Sequence, residues 1–329
     1  MMDFSYARPA DLAAAGAALA AGGMALGGGT GLLDLAKLGV ARPVAVVDLT
    51  RLPGLDAIQV SETEARIGAL VKMSRLAAHP AMRAALPAVG QALLASASPQ
   101  IRNMATIGGN LLQRTRCAYF RDAAVGSCNR RNPGSGCAAV GGVTRGHALL
   151  GVSPHCIATH PGDLAVALVA FDAVVETWSP NGQRLLSVHD FFLLPGATPG
   201  QEFALAPGEI VTGLRIPLAP VARQARYVKL RDRASYEFAA ASLAAGMSLG
   251  VDGRIADLRL ALGGVATIPW RARSVEAALI GEHPTPAAIA AAAALAMREA
   301  EPQPDNRHKL ALVPALIERT LTDMVGEPA

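Results

Sequence analysis

All four cysteines of this 329-residue chain lie between positions 117 and 156. This clustering constrains the fold, because cysteines used for general packing or scattered disulfides would not be confined to one stretch. Between Ser98 and Pro161 the only acidic residue is Asp122. Residues 129–137 are rich in Asn, Gly, Pro and Ser, which predicts a loop. Six arginines lie in the same region: Arg114, Arg116, Arg121, Arg130, Arg131 and Arg145.

The cysteine spacing leaves several interpretations open. An iron–sulfur cluster uses four thiolates, and nearby arginines would offset its negative charge. Structural zinc is disfavoured because it usually needs closely spaced cysteine pairs, and no C-x-x-C pair occurs here. Two disulfides or four buried free thiols are also compatible with the spacing. The cysteines are Cys117, Cys128, Cys137 and Cys156. Three histidines beside the last cysteine are interpreted as hydrogen-bonding residues: His147, His155 and His160.

The composition excludes several classes of protein. The chain is long enough for two domains, and much of its 51% hydrophobic content is alanine. No uninterrupted apolar run reaches the roughly eighteen residues that a membrane span needs. The net charge of +4 is spread out, and no basic, aromatic-rich patch indicates nucleic-acid binding. Asp3 and Asp11 lie where a signal peptide would be basic or apolar, so we expect no signal peptide.

Hydrophobic periodicity predicts strands and helices in both halves of the chain. Pro9 and Asp11 open a helix that ends at Gly22. Further helices are predicted over 32–37, 74–79, 80–94 and 310–324. Predicted strands cover 24–26, 44–49, 57–60, 64–68, 202–217 and 226–230. Other regular elements are predicted at 163–170, 173–176, 238–251, 255–265, 275–279 and 286–299.

Two glycine-rich segments predict a nucleotide site. The segment GGGTG at 27–31 lies between a strand and a helix, where backbone N–H groups can bind phosphate. It matches neither a Walker loop nor the G-x-G-x-x-G pattern. The segment TIGGN at 106–110 reads as a second loop whose backbone can approach a ligand. The two loops together suit one extended dinucleotide, although two unrelated turns remain an alternative.

These segments resemble, in order, the flavin-binding motifs of the medium subunits of molybdenum hydroxylases, the xanthine dehydrogenase family. The resemblance covers nearly the whole chain. Its motifs are LGGGTGLL at 26–33, ATIGGNL at 105–111, HPGDLA at 160–165, YVKLR at 227–231, LALGGV at 260–265 and PWRA at 269–272. One departure is Gly31, where related subunits often carry an acidic residue that would contact the ribityl chain.

The resemblance implies an α+β fold with two domains. Residues 1–220 would form a two-subdomain, PCMH-type FAD-binding region with a cysteine-rich [4Fe–4S] insertion at 111–160. Residues 221–329 would form a C-terminal α/β domain of the CO-dehydrogenase flavoprotein type, with a small antiparallel sheet. The insertion is similar to that of FAD subunits of bacterial periplasmic aldehyde oxidoreductases, and 4-hydroxybenzoyl-CoA reductases carry a comparable one.

The resemblance also implies the binding residues. The [4Fe–4S] cluster would be held by Cys117, Cys128, Cys137 and Cys156. Asp163 would contact the flavin, Ile210 would cover its ring, and Lys229 would place a positive charge beside it. The remaining expected FAD contacts are Leu26, Gly27, Gly28, Gly29, Thr30, Gly31, Leu32, Leu33, Thr106, Gly108, Gly109 and Asn110.

The implied function is electron transfer within a heterotrimer. A large molybdopterin subunit would oxidise an aldehyde, and a small subunit with two [2Fe–2S] clusters would deliver electrons to the FAD of this chain. The chain would pass them to an external acceptor. We expect a periplasmic location reached by co-translocation with a partner, with the cytoplasm as the alternative. A non-redox module that binds zinc and a nucleotide is a second class of function.

Overall fold

Three β-sheets organise the chain, and the computed structural model describes residues 2–326. The first sheet is parallel with strand order β1-β3-β2. The predicted first helix is confirmed, and the Asp11 carboxylate caps it by accepting a hydrogen bond from the Ala14 N–H at 2.8 Å. The elements of this first unit are β1 (Ser5–Ala7), α1 (Leu12–Ala20), β2 (Met24–Leu26), α2 (Leu32–Lys37) and β3 (Ala45–Asp48).

The second unit is an antiparallel five-stranded sheet covered by short helices, with strand order β4-β5-β8-β6-β7. Its strands are β4 (Ile58–Val60), β5 (Glu64–Gly68), β6 (Val174–Ser179), β7 (Gly182–Ser187) and β8 (Ile210–Pro217). Its helices are α3 (Met73–Ala78), α4 (Pro80–Ala85), α5 (Pro87–Ala95), α6 (Pro99–Met104), α7 (Ile107–Leu111), α8 (Ala118–Arg121), α9 (Asp163–Ala170), α10 (Val188–Phe191) and α11 (Pro220–Arg223).

The third unit is an antiparallel sheet of order β12-β11-β10-β9 that lies between helices. Successive residues of a strand face opposite sides, so Leu243 packs into a core with α14 while Ala244 packs into the core that contains α9. The elements are β9 (Arg226–Leu230), β10 (Ala241–Leu249), β11 (Ile255–Gly263), β12 (Trp270–Arg271), α12 (Arg273–Leu279), α13 (Pro286–Ala293), 3₁₀ turns at Ala294–Met297 and Pro304–Asn306, and α14 (Lys309–Val325).

The cysteine-rich insertion is irregular, as predicted, apart from α8 and isolated bridges such as Cys128–Cys137. It is attached to the third unit by backbone hydrogen bonds from Leu149 and Leu150 to the Val265 carbonyl, at 2.8 and 3.1 Å. Backbone bonds within the insertion, such as that from the Asn129 N–H to the Gly136 carbonyl at 2.7 Å, fix its local turns, and the bonds to Val265 fix it against the third unit.

Three sequence predictions were wrong in detail. The strand predicted over 202–217 is regular only in its second half, as β8 (Ile210–Pro217). The helix predicted over 80–94 is two helices, because Pro87 disfavours a helical conformation at Leu86, whose φ of −141° and ψ of 61° lie outside the helical region. The segment predicted as a second loop at 106–110 is mostly the short helix α7, with Thr106 as its N-cap. No helix within residues 2–326 is long and apolar enough to cross a membrane.

Candidate functional site

The two glycine-rich segments lie against each other and form one site. A Cβ atom added to Gly28 would lie 2.0 Å from the carbonyl oxygen of Met104. A Cβ atom added to Gly27 would lie 2.6 Å from Oγ1 of Thr106. Glycine is therefore required at Gly28 because two protein backbones meet there, and at Gly27 because the Thr106 side chain occupies the space of a Cβ atom. Both constraints hold without any ligand.

Helix α7 presents an unpartnered polar atom at this junction. Thr106 Oγ1 accepts a hydrogen bond from the Gly109 N–H at 3.2 Å and so begins the helix. Asn110 Nδ2 approaches Met73 Sδ at 3.5 Å, but Asn110 Oδ1 is buried and has no partner among the described residues. A buried oxygen without a donor is costly, so it suits a bound group that brings a donor.

A cavity of about 410 Å³ lies where the second unit, the insertion and the third unit meet. We call it the interdomain cavity. His160 lines it, and burial lowers the pKa of this imidazole to about 3, so the ring is neutral. Its Nδ1 accepts from the Gly162 N–H, which leaves the proton on Nε2, and that atom is buried without a partner in the described chain. Other lining residues are Arg116, Cys117, His147, Asp163, Phe238, Ser242 and Gly264.

A second cavity of about 480 Å³ is basic and lies between the first and second units. Lys72 and Arg75 line it together with Arg51, and Thr106 forms part of its wall. Lys72 Nζ donates to the Met104 carbonyl at 2.8 Å. The glycine-rich junction therefore borders a basic cavity, which is electrostatically suited to phosphate groups.

Asp163 is the centre of a buried hydrogen-bonded network at the start of α9. Lys229 Nζ donates to one carboxylate oxygen at 2.9 Å, and Ser96 Oγ donates to the same oxygen at 2.8 Å. The Tyr227 hydroxyl donates to the other oxygen at 2.5 Å. Burial, followed by the Asp163 charge, raises the pKa of Tyr227 well above its usual value, so the phenol keeps its proton.

The predicted site residues separate into two groups. Asp163 reaches the interdomain cavity, and Lys229 is held behind it, donating also to the Ala95 carbonyl at 3.1 Å. Ile210 instead packs in the core of the first unit with Val47 and Trp178, and it lines neither cavity. The structure therefore gives Ile210 a packing role.

The first glycine segment differs along its length. Gly29 has a φ of +76°, which favours glycine, and a Cβ atom there would meet Leu33 Cδ1 at 3.1 Å. A Cβ atom on Gly31 would meet nothing within 4 Å. A side chain at position 31 would therefore extend into open space.

The four cysteines line one small cavity inside the insertion, the cysteine cavity. All four are free thiols. Burial raises the pKa of the Cys117 thiol to about 11, with further contributions from the nearby Cys156 and Cys128. Within residues 2–326, no three side chains of His, Cys, Asp or Glu converge closely enough to hold a single metal ion. The four cysteines therefore line the cavity from separate positions and do not converge on a site for one ion.

Two polar side chains approach these sulfur atoms. Nε2 of His147 lies 3.2 Å from Cys117 Sγ, and an Arg130 guanidinium nitrogen lies 3.5 Å from Cys156 Sγ. Burial and then the Lys309 charge lower the pKa of His147, which favours the neutral ring. Both side chains are buried.

Four of the arginines that the sequence places near the cysteines are paired with carboxylates. Arg114 and Arg130 both pair with Glu202, which precedes β8. Arg116 and Arg121 pair with Asp34 of α2 at 3.0 and 2.9 Å. Their main contacts are therefore with acidic residues outside the insertion, which attach it to the first and second units.

Sequence reasoning missed Ser96, Tyr227 and the contact of His147. Tyr227 lies in a recognised motif, but its role depends on packing against Asp163, which is 64 positions away. Ser96 carries no local signal. His147 was interpreted as an ordinary hydrogen-bonding residue, and only the fold shows that its partner is Cys117.

Two family models match the chain. Residues 2–219 match the FAD binding domain in molybdopterin dehydrogenase, and residues 226–322 match the CO dehydrogenase flavoprotein C-terminal domain. The chain is 45% identical to the aldehyde oxidoreductase FAD-binding subunit PaoB of Escherichia coli, over 99% of this chain and 98% of that protein. It is 29% identical to the carbon monoxide dehydrogenase medium chain of Afipia carboxidovorans, over 92% and 89% of the two chains.

Solved structures show the same fold. Carbon monoxide dehydrogenase from Hydrogenophaga pseudoflava superposes with a TM-score of 0.75 at 26% identity, covering 97% of this chain and 96% of that one. Quinoline 2-oxidoreductase from Pseudomonas putida 86 gives a TM-score of 0.76 at 24% identity, covering 98% and 97%.

Proposed function

The chain belongs to the family of FAD-binding medium subunits of molybdenum hydroxylases, and we propose that it is the electron-transfer subunit of an aldehyde oxidoreductase. It is thus an oxidoreductase subunit that binds FAD. In the proposed function, electrons from a molybdopterin subunit and a [2Fe–2S] subunit reach this chain and leave for an external acceptor. The aldehyde is proposed from the 45% identity to the Escherichia coli subunit.

The observation that carries the proposal is the junction of the two glycine-rich segments. Gly28 and Met104 bring the segments together, and Asn110 Oδ1 at this junction lacks a donor in the described chain. A basic cavity borders the junction, as an anionic dinucleotide requires. These features fit FAD with the contacts expected from the motifs at 26–33 and 106–110. When bound, the flavin supplies the redox chemistry, while the protein supplies position and electrostatics.

Asp163 is proposed to orient the bound flavin. Its carboxylate is fixed by Lys229, Tyr227 and Ser96, so the oxygens have little freedom to rotate. Asp163 offsets the positive charge of Lys229. Lys229 would therefore influence the flavin through the Asp163 carboxylate and not as a free charge. Ile210 packs in the core of the first unit, and its contact with the flavin ring stays a prediction.

We propose that the cysteine cavity holds one [4Fe–4S] cluster. In such a cluster each of four thiolates binds a different iron, so the sulfurs surround a space, as Cys117, Cys128, Cys137 and Cys156 do here. All four thiols are free, which is a requirement for ligation. Nε of the buried Arg130 has no partner among the described residues, and this cation beside Cys156 suits a negatively charged cluster.

The resemblance of the insertion also supports a proposal for the location and for the complex. A periplasmic location, reached with a partner subunit, rests on the resemblance of the insertion alone. Fractionation of cells checks it, and recovery of the chain in the cytoplasm of unmodified cells contradicts it. A reductase related to 4-hydroxybenzoyl-CoA reductase is the alternative complex, because it also carries a cluster-bearing insertion.

The proposed function is tested on the assembled complex purified without oxygen. Adding an aldehyde should bleach the flavin absorption band, and adding an electron acceptor should restore it. A matched complex without this chain should oxidise only as much aldehyde as is needed to reduce its other cofactors, and the reaction should then stop. If the complex without this chain passes electrons to the same acceptor at an undiminished rate, the proposal is wrong. Reoxidation of the pre-reduced flavin by an aromatic thioester, with no bleaching by aldehydes, would favour the alternative complex.

A further inference from the structure

We propose that His147 is a positioning residue for the iron–sulfur cluster, donating a hydrogen bond to Cys117, the ligand that faces the interdomain cavity. This inference rests on the proposed cluster, and it assigns a role that the family membership does not supply.

Cys117 occupies a distinct place among the four cysteines. It lines both the cysteine cavity and the interdomain cavity, whereas Cys128, Cys137 and Cys156 line only the cysteine cavity in the described part of the chain. The wall between the two cavities therefore contains one cluster ligand. A change in the environment of Cys117 would act on the cluster at the side nearest the interdomain cavity.

His147 shares this wall. Its ring lines the interdomain cavity, and its Nε2 lies 3.2 Å from Cys117 Sγ. A metal-bound thiolate can only accept a hydrogen bond, so the contact requires the proton to lie on Nε2. Hydrogen bonds to the sulfur atoms are among the factors that set the potential of a cluster, and they favour the reduced, more negative form.

The position of His147 is fixed from the third unit. Lys309 Nζ donates to the His147 carbonyl at 3.1 Å and to the Gly264 carbonyl at 2.7 Å. Asn306 Nδ2 donates to the His147 and Ala148 carbonyls at 3.3 and 3.1 Å. Lys309 and Asn306 are almost completely buried. The imidazole therefore meets Cys117 from a backbone that other residues hold in place.

Arg130 approaches a different cysteine of the cysteine cavity. It contacts Cys156 and is paired with Glu202, and it does not line the interdomain cavity. The two donors thus act on different ligands. His147 is the imidazole donor to Cys117 at the wall of the interdomain cavity, and Arg130 is the guanidinium donor to Cys156.

The test uses three variants of the full chain in its complex: His147→Ala, His147→Gln and His155→Ala. His155 is the control, because it is a histidine that lines the cysteine cavity but is exposed and absent from the interdomain cavity. Iron and sulfide content is measured first, and the cluster is then titrated by EPR at fixed potentials. In His147→Ala we expect retained iron and a changed EPR signal. We also expect the cluster to bind its electron about tenfold less tightly, which corresponds to a one-electron potential lower by about 59 mV.

The variants separate the possible results. His147→Gln retains an N–H donor and should recover most of the shift, and His155→Ala should match the unmodified protein. An unchanged potential and EPR signal in His147→Ala would overturn the inference, as would an equal shift in His155→Ala. His147→Ala could lose its iron altogether. In that case, a His147→Gln variant that keeps its iron, EPR signal and potential supports the donor role of His147. Loss of iron from both variants refutes that role. Absence of a [4Fe–4S] cluster from the unmodified protein would refute the proposed cluster itself.

Discussion

The ammonium of Lys229 lies 2.9 Å from the carboxylate of Asp163, and the two side chains are only 3% and 6% exposed. This pair joins β9 of the third unit to α9 of the second unit at the edge of the interdomain cavity. A buried ion pair needs both partners, because either charge alone is strongly penalised in the interior. The pair thus joins the two units at the cavity where we propose that Asp163 orients the flavin.

Lys229→Met should destabilise the chain strongly. The substitution leaves the Asp163 carboxylate buried without its cation, which costs about 3–5 kcal/mol. We expect a lower Tm and weaker retention of FAD, measured by thermal unfolding and by flavin release on gel filtration. In the double variant Asp163→Asn with Lys229→Met, the stability loss should be smaller than the sum of the single losses. Additive losses would show that the two residues are not coupled.

Gly31→Asp should bind FAD at least as tightly as the unmodified chain. A side chain at this position enters open space, so the fold should tolerate it. An acid here would restore a group that can accept hydrogen bonds from the ribityl hydroxyls. Titration of apoprotein with FAD checks this, with Gly31→Ala as the matched variant. Equal affinity in Gly31→Asp and Gly31→Ala would remove position 31 from the flavin site.

Gly28→Val is expected to fail for another reason. A Cβ atom at Gly28 would lie 2.0 Å from the Met104 carbonyl oxygen, so the variant should unfold or rearrange even without flavin. The Tm of the apoprotein measures this directly. An apoprotein with an unaltered Tm would show that the junction of the glycine-rich segments is looser than described.

Glu202→Gln should loosen the cysteine-rich insertion. Glu202 pairs with both Arg114 and Arg130, and Arg130 is almost fully buried. We expect faster limited proteolysis within the insertion and loss of iron on dilution. Asp232→Asn is the matched control, because the Arg145–Asp232 pair is mostly exposed and such pairs contribute about 0–1 kcal/mol. Similar proteolysis rates in the two variants would contradict this role for Glu202.

Lys309 gives the stability a specific pH dependence. Burial, together with the Arg145 charge, lowers its pKa from 10.5 to about 8. The unfolded chain then binds more protons than the folded chain between these values, so stability rises with pH over that window. Relative to Lys309→Met, the Tm of the unmodified protein should rise from pH 8 to pH 10. Parallel Tm curves for the two proteins would show that the ammonium is not destabilised by burial.

Much of the fold was predictable because its signals are local. The strand at Met24–Leu26, the hairpin of β4 and β5 and the helix α14 follow from hydrophobic periodicity and from turn residues. The short strand β7, with its exposed Leu185, has no buried face and so no such pattern. The break at Leu86 depends on Pro87 alone, because the residues on both sides of this position favour a helix.

The site was predictable only as a set of motifs. Glycine spacing identified Gly28 and Gly109, but their roles arise from long-range contacts with Met104 and Thr106. The same holds for Ile210, whose strand carries an apolar pattern that does not tell which core it enters. Tertiary packing decides such positions, and no local sequence pattern encodes it.

The cofactor content of the chain, purified without oxygen, tests the central claim most directly. Iron, acid-labile sulfide, zinc and acid-released flavin are measured against protein concentration on one sample. A chain that holds FAD at the glycine-rich junction and a [4Fe–4S] cluster on its four cysteines should contain about four iron, about four sulfide and about one FAD. Two iron, stoichiometric zinc or intact disulfides would contradict the cluster, and a colourless protein without flavin would contradict the account as a whole.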